Sequence, residues 1–135
     1  LTTIGESVFF GCENLASADL SQCTNLSSTG MHTFNWCTGL SSVTLPANLA
    51  TIDVCAFENC TSLTSIDLPA SLTAIADYAF ASSGLNSVTF NSNGIAISSE
   101  YPPFVGDLRT KYLDGSTGGS GTYTRQDNTW TKQQP

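Results

Sequence analysis

The sequence predicts an α/β repeat solenoid of about four coils, built mostly from short strands with short helical turns and closed by a β-rich C-terminal cap. Three observations lead there. Phe34, Phe57 and Phe80 stand 23 residues apart, and Phe9 precedes Phe34 by 25. Around each phenylalanine the same apolar anchors recur in the same order. Within one unit the apolar spacing changes from three to two, so neither a helix nor a strand fits the whole. A coil with several short sides does, each side turning one or two apolar residues inward.

The clearest unit is Leu49 to Leu72, with anchors Leu49, Ile52, Phe57, Cys60, Leu63, Ile66 and Leu68, then Pro69. The first copy uses Leu1, Ile4, Phe9, Cys12, Leu15, Ala18 and Leu20; the second uses Leu26, Thr29, Phe34, Cys37, Leu40, Val43 and Leu45, then Pro46. The fourth uses Leu72, Ile75, Phe80, Ser83, Leu85, Val88 and Phe90, and is one residue shorter between Phe80 and Leu85. Insertions and deletions fall between anchors, as expected of loops around a stacked core. One unit cannot fold alone. Its seven anchors return about 1.5–3 kcal/mol each, less than the roughly 1–2 kcal/mol per residue lost in ordering the backbone.

Each side of the unit has a local cause. Ser65-Ile66-Asp67-Leu68 alternates, so Ile66 and Leu68 point inward and Ser65 and Asp67 outward. Pro46 and Pro69 end their strands because proline has no N–H for the ladder. The stretch from Asp53 to Phe57 reads as a short helical or 3₁₀ turn with Asp53 as its cap. Cys12, Cys37 and Cys60 share a slot that Ser83 fills in the fourth copy. That slot wants a small side chain, and buried free cysteine suits it.

The pattern L-x-x-I-x-x-x-A/V-F-x-x-C-x-x-L-x-S-V/I-x-L-P resembles the BspA-type leucine-rich repeat of bacterial surface proteins, in register from about Leu1 to Phe90. The run AFENCTSLTSIDLPASLTAIADYAF matches it almost position by position. Ser21 in place of proline and Thr29 in place of isoleucine depart from it. The resemblance implies a right-handed leucine-rich-repeat superhelix and a non-enzymatic protein, secreted or held at the bacterial cell surface. It implies adhesion to a host or bacterial surface protein, such as one of the extracellular matrix.

Residues 1–90 are expected to hold the repeats, and residues 91–135 a degenerate last repeat and a capping hairpin. Leu1 opens inside a repeat without a polar cap, which reads as a processing boundary with any signal peptide outside this chain. An open first coil of this kind also offers an end on which a second copy can stack. After Phe90, Ile95-Ala96-Ile97 reads as another strand, and Leu108 to Leu113 as a last degenerate one. Gly115 to Gly121 reads as a flexible loop or linker, not a phosphate loop, since no Lys-Ser/Thr follows. Thr122 to Arg125 and Thr129 to Lys132 flank Gln126-Asp127-Asn128 as a hairpin.

Charge narrows the partners. Nine acids and no lysine or arginine precede Arg109; Lys111, Arg125 and Lys132 follow, and the net charge is −7. A repeat body without cations cannot release counterions from phosphates, so nucleic acid and anionic membrane are poor partners. Cationic partners and neutral glycans fit. No apolar run is long enough for a membrane-spanning helix.

Catalysis has little material. His32 is the single histidine, and its equivalents Ser7, Cys55 and Tyr78 mark a variable position read as exposed. No nucleophile or acid is spaced to reach it, and no catalytic or cofactor-binding residue is expected. Metal is not expected either: there is no C-x-x-C, and His32 with Cys55 supplies only two of the four ligands that zinc takes. The candidate binding face is the pair of outward columns formed by Ser42, Thr44, Ser65, Asp67, Ser87 and Thr89, continuing Ser17 and Asp19. Without large aromatic anchors, such a face suits weak, multivalent contacts. The competing class is a carbohydrate-binding module using Trp36, Trp130 and nearby tyrosines, with Trp130 expected to serve mainly in packing.

Overall fold

The structure is a computed structural model that describes residues 1–135. Its centre is a column of phenylalanines. Phe9, Phe34, Phe57, Phe80 and Phe104 stack ring on ring at centroid spacings of 5.2, 5.2, 5.3 and 5.2 Å with nearly parallel planes. Phe104 thus carries the column one step past Phe90, where the sequence register fades. A coil that repeats at a strand-like pitch places equivalent rings on one axis, so a single anchor per coil becomes a continuous apolar rod.

Three sides surround the rod. On one, β1 (Ser17–Asp19) pairs in parallel with β2 (Ser42–Thr44), and β4 (Ser65–Leu68) pairs in parallel with β6 (Ser87–Phe90). On the second, the two-residue strands β3 (Thr51–Ile52), β5 (Ala74–Ile75) and β7 (Ala96–Ile97) form a parallel sheet. On the third, the chain makes successive turns in place of the expected helical turn. Two residues per coil lie in the left-handed region: Ser7, His32, Cys55 and Tyr78 in one column (φ 55–59°), and Trp36, Asn59 and Ser82 in another (φ 54–61°). Left-handed residues interrupt any 3₁₀ run, so no helix forms. Their amides bond the next coil: His32 N–H donates to Val54 O (3.0 Å), Cys55 N–H to Asp77 O (3.0 Å) and Trp36 N–H to Glu58 O (3.0 Å). Asp53 does not cap its own turn. Its carboxylate reaches the preceding coil, accepting from Ser28 Oγ and from Gly30 N–H at 3.0 Å.

The cysteine slot is a core position with a directed bond. Cys37 Sγ donates to Phe9 O at 3.0 Å and Cys60 Sγ to Phe34 O at 3.1 Å, each reaching the coil before it. Both thiols are fully buried, whereas Cys12 is exposed. Burial pushes the Cys60 thiol up to about 12.

The ladder of the first side stops between β2 and β4, which belong to separate sheets. One position differs between the joined and unjoined strand pairs. Gly39 and Gly84 precede Leu40 and Leu85, and a Cβ at either would run into the backbone carbonyl of Glu13 or Thr61 one coil earlier. Those two close approaches lead directly into the paired strands β1–β2 and β4–β6. The equivalent residue of the third coil is Ser62, which carries a Cβ at this point and whose Oγ donates to Thr38 O at 2.6 Å. Here the next strand pair, β2 and β4, is unjoined.

Beyond the coils, Leu108–Leu113 is a helix, α1, where a strand was expected. Leu108 and Tyr112 are one turn apart and both buried, a helical spacing. The expected hairpin is present as β8 (Gly121–Gln126) and β9 (Thr129–Lys132), and β8 pairs antiparallel with β6. The glycine-rich segment is a pinned loop, not a free linker. Asp114 Oδ1 accepts from Ser116 N–H (2.8 Å) and Thr117 N–H (3.2 Å), and Lys132 Nζ donates to Gly118 O (2.7 Å).

Candidate functional site

Strand alternation turns Ile66, Leu68, Val88, Phe90, Tyr123 and Trp130 into the core, so the residues between them face out. Register then aligns them. Ser65 lies beside Ser87, Ser87 beside Thr124 and Thr124 beside Thr131; Asp67 lies beside Thr89 and Thr89 beside Thr122. Thr89 Oγ1 and Thr122 Oγ1 share a hydrogen bond of 2.9 Å. The two columns expected of the repeats therefore continue onto the hairpin, which the spacing of repeats alone does not reveal. Ser65 and Asp67 are exposed, while Ser87 and Thr89 are half-buried beneath their neighbours.

Ser42 and Thr44 form the same columns with Ser17 and Asp19 in the other sheet. Between the sheets lies a cleft of about 340 Å³ lined by Val43, Thr44, Leu45, Asp67, Pro69 and Asn91. Thr44 from one sheet and Asp67 from the other both line it, so the six candidate residues form two blocks divided by a groove. Asn91 Nδ2 donates to Asp67 Oδ1 (2.5 Å) and to Leu68 O (2.9 Å), which fixes the carboxylate and leaves Oδ2 without a protein partner. Asp19 is held below the usual carboxylate range by hydrogen bonds from Ser21.

The aromatic candidates separate. Trp130 is 1% exposed and its Nε1 donates to Val105 O at 2.7 Å, so it packs the hairpin against the coils. Trp36 is 49% exposed, and Tyr78 stacks on Tyr101 at 5.0 Å, both partly open to solvent. With Trp130 buried, a sugar platform built on both tryptophans is not available.

The turn column at His32 differs from its expected description. Cys55, the next member, is buried, not exposed. An acid also stands beside the pair: ligand atoms of His32, Cys55 and Glu58 lie within 4.8 Å of one another. Asn35 Nδ2 lies 3.1 Å from His32 Nδ1 and donates to Glu58 Oε2 at 3.0 Å. The Cys55 thiol is pushed up to about 12 by burial first and by the neighbouring Glu58 second. Glu58 escaped notice because a glutamate in a turn reads as solvated; the available signal was its place three residues after Cys55, one turn along the same coil.

The model of the BspA type leucine rich repeat region matches residues 1–101, with 6 copies. No curated protein matches the chain. The crystal structure of a leucine-rich repeat protein from Bacteroides ovatus is similar, with a TM-score of 0.60 and 27% identity over 64% of this chain. The match spans 22% of that protein's length. The repeat matches and the stacked coils agree: this chain belongs to the BspA-type leucine-rich-repeat family.

Proposed function

We propose that this chain is a protein-binding segment of a secreted or cell-surface protein, acting in adhesion through its strand face. The observation that supports the reading is the register of outward Ser, Thr and Asp side chains across β4, β6, β8 and β9, continued over the cleft by β1 and β2. Ser65, Asp67, Ser87 and Thr89 form one block of the contact surface and Ser42 and Thr44 the other. Residues 91–135 serve as the closing unit that lengthens this face. The partner is a protein with a basic surface, because the repeat body contributes acids and no lysine or arginine before Arg109. Contacts of this kind are individually weak and gain strength by repetition.

The test is binding of the chain to immobilised extracellular-matrix proteins, with soluble glycans in parallel. Asp67→Lys and Ser65→Tyr are expected to weaken matrix-protein binding about tenfold or more, since a reversed charge at the cleft meets a basic partner. Trp36→Ala is expected to leave it unchanged. Unaltered binding in the Asp67→Lys, Ser65→Tyr double variant would overturn the strand-face reading. A saturable glycan response lost in Trp36→Ala would replace it with a carbohydrate-binding one.

A further inference from the structure

The turn ridge carries chemistry that the strand face does not use. His32, Cys55 and Glu58 offer an imidazole nitrogen, a thiol sulfur and a carboxylate oxygen, all within 4.8 Å of one another. The three come from adjacent coils whose spacing the backbone fixes. His32 N–H bonds Val54 O, Cys55 N–H bonds Asp77 O, and Glu58 N–H bonds Cys55 O at 3.3 Å. His32 and Cys55 also share the same left-handed backbone, φ 55° in each. Their side chains therefore leave the ridge in parallel, one coil apart, and Glu58 returns to them from the following turn.

We propose that His32, Cys55 and Glu58 form a binding site for a thiophilic divalent cation of the zinc class, with water completing a four-coordinate shell. The donor set is one that such a cation accepts, and bonds of about 2.0–2.3 Å to each donor need the three atoms to draw together by about 1 Å. Side-chain rotation supplies that. His32 and Glu58 are half-buried, which leaves the outer position open to water, while Cys55 supplies the buried anchor. Asn35, itself 4% exposed, contacts both the imidazole and the carboxylate, the kind of outer support that orients metal ligands.

Electrostatics favours a cation here. Glu58 has no salt bridge, and the single ion pair of the chain lies elsewhere, between Lys111 and Asp107. Asp77 and the phenol of Tyr78 also stand near Cys55, so no positive group competes for the site. On binding, the Cys55 thiol proton leaves to solvent and the sulfur–metal bond forms; no electron is transferred.

The test is titration of the reduced, metal-free chain with Co²⁺, following the thiolate-to-cobalt charge-transfer absorption, then with Zn²⁺. The expected result is saturation at a single site and bleaching by Zn²⁺. Cys55→Ser abolishes the band. His32→Gln and Glu58→Gln each weaken binding by at least about tenfold, and Asn35→Ala by about 10- to 100-fold. Cys12→Ser and Cys23→Ser leave it unchanged, since those thiols lie elsewhere in the coils. Absence of a saturable band overturns the proposal, as does a band that survives Cys55→Ser or vanishes in Cys12→Ser. If Cys55→Ser does not fold, the His32→Gln, Glu58→Gln double variant decides, and undiminished affinity in it overturns the site.

Discussion

Thr29 and Asp53 hold each other across neighbouring coils: Thr29 Oγ1 accepts the Asp53 N–H at 3.0 Å, and the Asp53 carboxylate accepts from the Gly30 N–H at 3.0 Å. Thr29 is fully buried and occupies a slot where the repeat otherwise carries isoleucine. Thr29→Val keeps the shape and removes the hydroxyl, leaving the Asp53 amide unpaired. The expected loss is about 1–3 kcal/mol, read from the urea midpoint. An unchanged midpoint would show that water replaces the hydroxyl.

The phenylalanine column is expected to be weighted toward its middle. Phe57 is fully buried with a ring on each side, so Phe57→Ala should cost about 3–5 kcal/mol. Phe9 is half-buried and stacks on Phe34 alone, so Phe9→Ala should cost about half as much. Denaturation of the two variants side by side checks the order.

Ser62→Gly should let the third coil close on the second. If the Cβ of Ser62 keeps β2 and β4 apart, glycine joins their ladder, and backbone amides of Ser65 to Leu68 gain protection from hydrogen exchange. Gly84→Ala is the converse, with lost protection in β6. Equal exchange in wild type and Ser62→Gly would assign the interruption to another cause.

Stability is expected to fall at alkaline pH. Burial raises the Cys60 thiol from 9.0 to about 12 and shifts Cys37 in the same direction. A raised folded value means that the stabilisation is complete below pH 9 and is lost as pH climbs toward 12. Cys60 subtracts up to about 1.4 kcal/mol per pH unit in that window, and Cys37 acts in the same direction. Cys60→Ser should flatten the decline of the urea midpoint as pH rises from 9.0 toward about 12.

Much of this architecture was legible because one large side chain per coil sets the period: Phe34, Phe57 and Phe80 are equally spaced in sequence and stacked in space. The alternation in Ser65 to Leu68 likewise yielded the outward columns. Other features rest on contacts between coils, which spacing within a coil does not carry. Asp53 looks like a cap from its neighbours in sequence, yet its partners lie 23 to 25 residues earlier. Phe104 follows two prolines and takes its place in the column through its stacking on Phe80. The short strand Ala74–Ile75 is too brief to show a period. Glu58 becomes a neighbour of His32 only once the turns stack, and the groove beside Asp67 lies where the ladder between β2 and β4 is missing.

That groove divides the molecule mechanically. Along the turn ridge and through the aromatic rod the second and third coils are joined by backbone hydrogen bonds and stacked rings, but on the strand face no ladder joins β2 to β4. A pull along the stack should therefore open the face at β2 and β4 first, pivoting on Phe34 and Phe57. For the strand face proposed above as the contact surface, such a pivot would bend its two blocks toward or away from a common partner without unfolding either one.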